Sequence, residues 1–178
     1  MKRRIIVSII VILLIALAVF LLVKLANKDK ENNENILNAI YENVDEEVKS
    51  NWDDITISRL DLTNMEAVNY NTGLDSLDGI ESIYISETSD SFYSYSFVCV
   101  KVKKDANKES IKNDIYNNID MYKWKYVYAK KLVVVDTDEY IFAVMGNMNE
   151  VEAVVGGLKV YAEENKMTVG EVMERFEE

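Results

Sequence analysis

Apolar and polar positions divide the chain into three regions. Ile5 to Val23 is an unbroken apolar run in which Ser8 is the only hydroxyl residue. A short polar and charged stretch follows, and from Asn35 onwards apolar residues recur at helical or strand spacings. The pattern predicts a transmembrane anchor over residues 1–24, a linker over 25–34 and one folded domain over 35–178.

The first region has the length of a membrane span. At ~1.5 Å per residue it extends about 28 Å as a helix, close to the ~30 Å hydrocarbon core of a bilayer. Lys2, Arg3 and Arg4 precede it, so the positive-inside rule predicts a cytoplasmic amino terminus and an extracellular carboxyl-terminal domain. A cleaved signal peptide is the alternative, although its apolar region is usually only ~7–15 residues long. We therefore expect a single-pass signal anchor in the cell membrane.

Helices and strands alternate in the predicted domain. Helical periodicity and amino-terminal capping residues indicate five helices. The first covers Asn35–Ser50, and the second begins with a capping box of Thr63 and Glu66 and ends at Gly73. The third and fourth are capped by Asp105 and Asn149. The terminal helix begins with a capping box of Thr168 and Glu171. The predicted strands are Glu81–Glu87, Phe92–Lys103, Leu132–Val135 and Tyr140–Met145.

This order of elements defines the expected fold class. Two strand pairs, each followed by a long helix (β-β-α-β-β-α), predict an α+β domain with a four-stranded, mainly antiparallel sheet and packed helices. The strands Leu132–Val135 and Tyr140–Met145 are apolar at both odd and even positions, which indicates a sheet covered on both faces. We expect the two long helices to cover one face, and the helix Asn35–Ser50 or another protein to cover the other.

The chain also resembles a known kind of domain over Leu62 to Val160. The similarity lies in a short helix ending in Tyr70-Asn-Thr-Gly-Leu-Asp75, the strand Phe97–Lys103 that enters a helix through Asp105, and the hairpin segment Asp138–Val144. These pieces resemble an uncharacterised domain family of membrane-anchored proteins and lipoproteins from Gram-positive bacteria. No catalytic or binding residues are established for that family, so the resemblance implies none here.

Composition excludes several kinds of chemistry. Histidine is absent and Cys99 is the only cysteine, which excludes zinc sites of the His and Cys type, Ser-His-Asp triads and Cys-His pairs. We predict no catalytic residues and no cofactor, and regard enzymatic activity as the less favoured reading. The net charge of −11 repels nucleic acid, so no nucleic-acid partner is expected.

Two groups of acidic residues are candidate calcium ligands, because calcium needs several oxygen atoms at close range. The first group occupies one predicted loop, and the second occupies a predicted hairpin turn. They are Asp75, Asp78 and Glu81, and Asp136, Asp138 and Glu139. Aspartate is also common in turns that bind no metal, so the spacing alone does not decide between the two readings.

Aromatic residues supply the remaining functional signal. A set that includes both tryptophans is a candidate partner-binding surface, since aromatic side chains dominate many interfaces; core packing is the alternative. The set is Trp52, Tyr93, Tyr95, Trp124, Tyr126 and Tyr128. We expect a binding or interaction module of the cell envelope, with an envelope protein or a second copy as partner. An acidic cation- or ligand-sensing domain and a histidine-free cell-wall hydrolase are the alternatives.

Overall fold

The computed structural model describes Ile15 and residues 36–49, 52, 55–90 and 92–177. Helices and strands follow one another along the described chain in this order: α1 (36–42), α2 (Glu46–Lys49), β1 (Ile55–Arg59), α3 (Met65–Thr72), β2 (Ile80–Thr88), β3 (Ser96–Val102), α4 (Lys108–Asn118), β4 (Lys131–Asp136), β5 (Tyr140–Gly146), α5 (Met148–Glu164) and β6 (Met173–Phe176).

The six strands form one sheet in the order β1-β2-β3-β5-β4-β6, and every neighbouring pair is antiparallel. The central strands β3 and β5 are almost entirely buried, as their apolar sequences indicate. Strands β1 and β6 form the two edges and are the most exposed. The central strands therefore hold the core, and the edges face solvent.

Helices cover both faces of the sheet. On one face Val98 and Val100 pack beneath α3 and α4, and on the other Phe97 and Cys99 pack beneath α1 and α5. This alternation follows from the two-residue period of a strand. The predicted double-sided burial is confirmed, and α1 covers a face as expected. The two long helices α4 and α5 lie on opposite faces, however, and not on the same one.

The predicted fold class is wrong in the number of strands, and its transmembrane helix is not supported. The sheet has six strands where four were expected, because β1 and β6 flank the predicted set. The expected transmembrane helix falls on residues that, apart from Ile15, lie outside the described part of the chain, as does the linker over 25–34. Among the described residues, no helix has the length and apolar character to cross a bilayer, so the assignment to single-pass membrane proteins with a signal anchor is not supported.

The segment predicted as a terminal helix is the edge strand β6. It pairs with β4 from Lys131–Phe176 to Val134–Met173, which satisfies an edge that a helix would leave open. The Arg175 guanidinium reaches under the sheet and donates to the carbonyl oxygens of Tyr116 (2.7 Å) and Ile119 (2.6 Å) at the carboxyl end of α4. Tertiary contacts therefore override the capping pattern of Thr168 and Glu171.

The predicted helix Asn35–Ser50 is interrupted in the structure. The N–H groups of Asn43 and Val44 donate to carbonyls three residues earlier, at 3.1 Å each, which tightens the chain and ends α1. Helix α2 begins beyond this turn, at Glu46. The break lets Val44, which is only 4% exposed, reach the core.

Three predicted caps are displaced by one or two residues. The observed caps are Asn64, Asn107 and Asn147, in place of Thr63, Asp105 and Asn149. The Asn64 side chain accepts from the Ala67 N–H at 3.1 Å, whereas Thr63 donates to the Asp61 carboxylate. Gly73 closes α3 with φ +73°, which confirms the prediction for that residue.

Candidate interaction surface

A closed loop connects α4 to β4 at one end of the sheet. Its two ends are joined by a hydrogen bond of 2.9 Å from the Ala129 N–H to the Met121 carbonyl, and both residues are buried. The Lys130 N–H also donates to the Gly146 carbonyl at 2.9 Å, which ties the loop to β5. Residues 122–128 therefore project from a fixed base.

Lys123 anchors this loop from within. Its side chain is 1% exposed and its ammonium group forms an ion pair with Glu87 at the end of β2. The same nitrogen donates to Asn71 Oδ1 in α3 and to Ser96 Oγ in β3, each at 3.2 Å. Burial lowers the pKa of Lys123, and the charge of Glu87 opposes that shift. One buried cation thus holds the loop to three other elements.

Five aromatic side chains lie on this loop or against it, and most of them face solvent. Phe92 and Tyr126 stack with ring centroids 4.8 Å apart and planes 9° apart, although they are 66% and 57% exposed. Tyr122 and Tyr128 form a second stacked pair at 5.1 Å. Tyr70 donates from its hydroxyl to the Lys123 carbonyl at 2.9 Å. We call these five residues the aromatic surface.

Two lysines add positive charge to the aromatic surface. The ammonium group of Lys125 lies 5.0 Å from the Tyr126 ring centroid, and that of Lys130 lies 4.1 Å from the Tyr128 centroid. Within the described residues, neither lysine takes part in an ion pair. The Tyr122 hydroxyl donates to Glu177 at 2.8 Å, which raises the pKa of that tyrosine. The two lysines thus place positive charge beside Tyr126 and Tyr128, and Glu177 places negative charge beside Tyr122.

The structure separates the predicted aromatic set into surface and core. Tyr126 and Tyr128 belong to the aromatic surface, while Trp124 packs partly against the core on the α4 side. Tyr95 is completely buried on the opposite face, and Trp52 and Tyr93 pack against the same core.

Burial raises the pKa of Tyr95 well above its usual value, and its hydroxyl lies 2.9 Å from that of Tyr41. These contacts identify Tyr95 as a core residue rather than a contact residue.

Sequence reasoning missed Tyr70, Phe92 and Tyr122. Tyr122 continues the helical spacing of Ile111, Ile115 and Ile119, but α4 ends at Asn118 and Met121 takes the buried position. The alternation of aromatic and basic residues that begins at Tyr122 was the available signal. Nothing in the sequence indicates that Phe92 stacks on this loop from a separate turn.

The first group of candidate calcium ligands is not gathered at one point. Asp75 and Asp78 line an acidic cleft of about 600 Å³ between α4 and the loop before β2, together with Asp105 and Asp114. Asp75 accepts a hydrogen bond of 2.7 Å from the Asn69 amide. Glu81 instead forms an ion pair with Lys101 across the sheet.

The second group is also engaged by protein atoms. Asp136 forms ion pairs with Lys108 (3.0 Å) and Lys112 (2.7 Å). Burial raises the pKa of Asp136, but these two lysines outweigh it and hold the pKa below its usual value. Asp138 accepts from the Thr168 N–H at 3.1 Å.

In the part of the chain that the structure describes, no three acidic or cysteine side chains lie close enough together to hold a metal ion, and Glu139 belongs to no such group. The calcium hypothesis for these six residues stays a prediction.

No family model, curated protein or solved structure matches the chain. The resemblance to the Gram-positive domain family therefore stays a prediction, and the function must be argued from the geometry of the surface itself.

Proposed function

We propose that this domain is a binding module whose contact surface is the aromatic surface, and that its partner is another protein of the cell envelope. The observation that carries the proposal is the stacked pair of Phe92 and Tyr126, which remains more than half exposed on both rings. Rings arranged in this way expose apolar area to water, and burying that area against a partner is favourable.

The aromatic surface is also held in place before any partner arrives. The closed base at Met121 and Ala129 and the buried ammonium group of Lys123 fix the loop that carries three of its rings. Preorganised side chains lose less conformational entropy on binding, so more of the contact energy becomes affinity. Aromatic residues in such positions are frequent hot spots, whose removal costs about 2 kcal/mol or more.

Site-specific photo-crosslinking in cells tests this proposal. A photoreactive phenylalanine analogue replaces Tyr126 in one variant and Val160 in a matched control, because Val160 is 43% exposed on α5, outside the aromatic surface. We expect a discrete crosslinked protein from position 126 that is absent from position 160. The same product should be lost when Phe92→Ser is added to the position-126 variant.

Direct binding then checks the identity of the contact. Once the crosslinked protein is purified, Phe92→Ser should weaken its binding to the intact chain about 30-fold, the equivalent of a 2 kcal/mol hot spot. Identical products from positions 126 and 160, or unchanged affinity for Phe92→Ser, would contradict the proposal. The predicted extracellular location depends on residues outside the described part of the chain and stays a prediction.

A further inference from the structure

Among the described residues, strand β1 has a backbone edge that pairs with no other strand. It pairs with β2 on one side, and on its other side no residue of the described chain hydrogen-bonds to it. The opposite edge is different, since the Tyr116 hydroxyl donates to the Glu174 carbonyl of β6 at 2.9 Å. Strand β1 also lacks proline, lysine and any register shift, which are the usual means of protecting an edge.

The register shows which backbone groups point outwards. The Leu60 N–H donates to the Ile83 carbonyl directly opposite at 3.0 Å, so this is a hydrogen-bonded pair of the antiparallel ladder. Hydrogen-bonded positions alternate along a strand, and Thr56 and Ser58 therefore also bond to β2. The N–H and C=O groups of the odd-numbered residues of β1 face away from the sheet.

A second copy of β1 fits this edge in one antiparallel register. With a two-fold axis at Ile57, each Ile55 lies opposite the other copy's Arg59, and each Thr56 lies opposite the other copy's Ser58. All outward backbone groups of the five-residue strand then have partners. Such a pairing is isologous and closes on itself, as in most dimers.

The side chains of β1 suit contact between two copies. Ile55 and Ile57 are only partly buried and line a groove of about 390 Å³ with Tyr41 and Trp52. The strand contains no acidic residue, although the chain has 31 acidic and 20 basic residues. Within these five positions no carboxylates therefore face each other across the two copies, and Arg59, the single charge of the strand, lies opposite Ile55.

We propose that two copies of this chain pair through β1, in antiparallel orientation with the two-fold axis at Ile57, so that one sheet continues across both copies. No residue of β1 belongs to the aromatic surface, and this pairing does not depend on the function proposed above.

Disulfide trapping tests whether the two strands pair and in which register. Thr56 and Ser58 of the two copies form a non-hydrogen-bonded pair, whose Cα atoms lie ~4.5 Å apart, within the range of a disulfide. Position 56 of one copy lies diagonally across from position 56 of the other, with Cα atoms ~7–8 Å apart, which is too far for a disulfide. Cys99 is 1% exposed and does not compete. Mixing full-length Thr56→Cys and Ser58→Cys chains under mild oxidation should yield a mixed disulfide dimer that neither variant yields alone.

Two controls complete the experiment. Glu109→Cys, an exposed position on α4, should give no dimer with either variant. Ile57→Lys added to both partners should abolish the mixed disulfide, because it places two like charges at the axis, while circular dichroism shows an unchanged fold. Phe92→Ser should leave the mixed disulfide intact. A mixture that crosslinks no more than the Glu109→Cys control would overturn the proposal.

Discussion

The ion pair between Lys123 and Glu87 gives the sharpest test of how the interaction surface is held. Its partners differ in exposure: the lysine side chain is 1% exposed and the glutamate side chain 24%. Removing the charge of the lysine and removing the charge of the glutamate therefore have different effects on stability. In Glu87→Gln the buried ammonium group loses its ion-pair partner and keeps only the weaker electrostatic effect of Asp120, whereas in Lys123→Met the remaining carboxylate is reached by water.

These differences set the expected magnitudes. Breaking a buried pair and leaving the buried charge costs about 3–5 kcal/mol, so we expect about 3 kcal/mol for Glu87→Gln. Lys123→Met should cost only about 1–2 kcal/mol, since a side chain of similar shape replaces the cation. The double variant should be more stable than Glu87→Gln alone, because it removes the uncompensated charge together with its partner.

Urea unfolding of the four proteins, followed by circular dichroism, measures the full cycle. For a domain of this size, 3 kcal/mol corresponds to a fall in Tm of roughly 8–12 °C, which thermal unfolding would check independently. The reasoning is refuted if Lys123→Met destabilises the protein as much as Glu87→Gln, or if the double variant is the least stable of the four.

Two further predictions concern helix α5 and the acid-dependent ion pairs. A Cβ at Gly156 meets nothing within 4 Å, whereas one at Gly157 would lie 2.7 Å from the Ile40 carbonyl oxygen. In urea unfolding, Gly156→Ala should therefore stabilise the protein by up to about 1 kcal/mol, and Gly157→Ala should destabilise it. The pKa of Asp136 is lowered in the folded state, so its stabilising contribution is present above the unfolded value of about 3.9 and is lost as pH falls further. Across pH 4 to 2 the parent protein should lose more stability than Asp136→Asn, and equal losses would contradict this assignment.

The central strands were predictable from sequence because their pattern reflects burial directly. The residues of β4 and β5 are apolar at odd and even positions, and only a sheet covered on both faces needs that arrangement. Gly73 was predictable for a local reason, since its φ of +73° is costly for residues with a side chain. Both signals lie within a few residues of chain.

The edge strands were not predictable on the same grounds. Strand β1 has five residues and buries none of them completely, so its apolar pattern is too short and too weak to identify it as a strand. Strand β6 follows Thr168 and Glu171, whose spacing is that of a helix start. Its pairing with β4 outweighs that local preference, and such long-range pairing is invisible to a local pattern.

The candidate surface was predictable only in part. Tyr126 and Tyr128 belong to an alternation that the sequence displays, but the role of Lys123 depends on Glu87, Asn71 and Ser96, which are distant along the chain. A lysine within a basic stretch normally faces solvent. Its burial follows from the closure of the loop, which no local sequence pattern indicates.

The contact between Arg175 and helix α4 has a consequence for biosynthesis. The guanidinium group caps carbonyls of residues that precede it by 56 to 59 positions. While the ribosome is still adding those positions, the end of α4 and the outer side of β4 lack the contacts that Arg175 and β6 supply. The nascent domain therefore passes through a stage in which one strand edge is unpaired and open to chaperones and proteases.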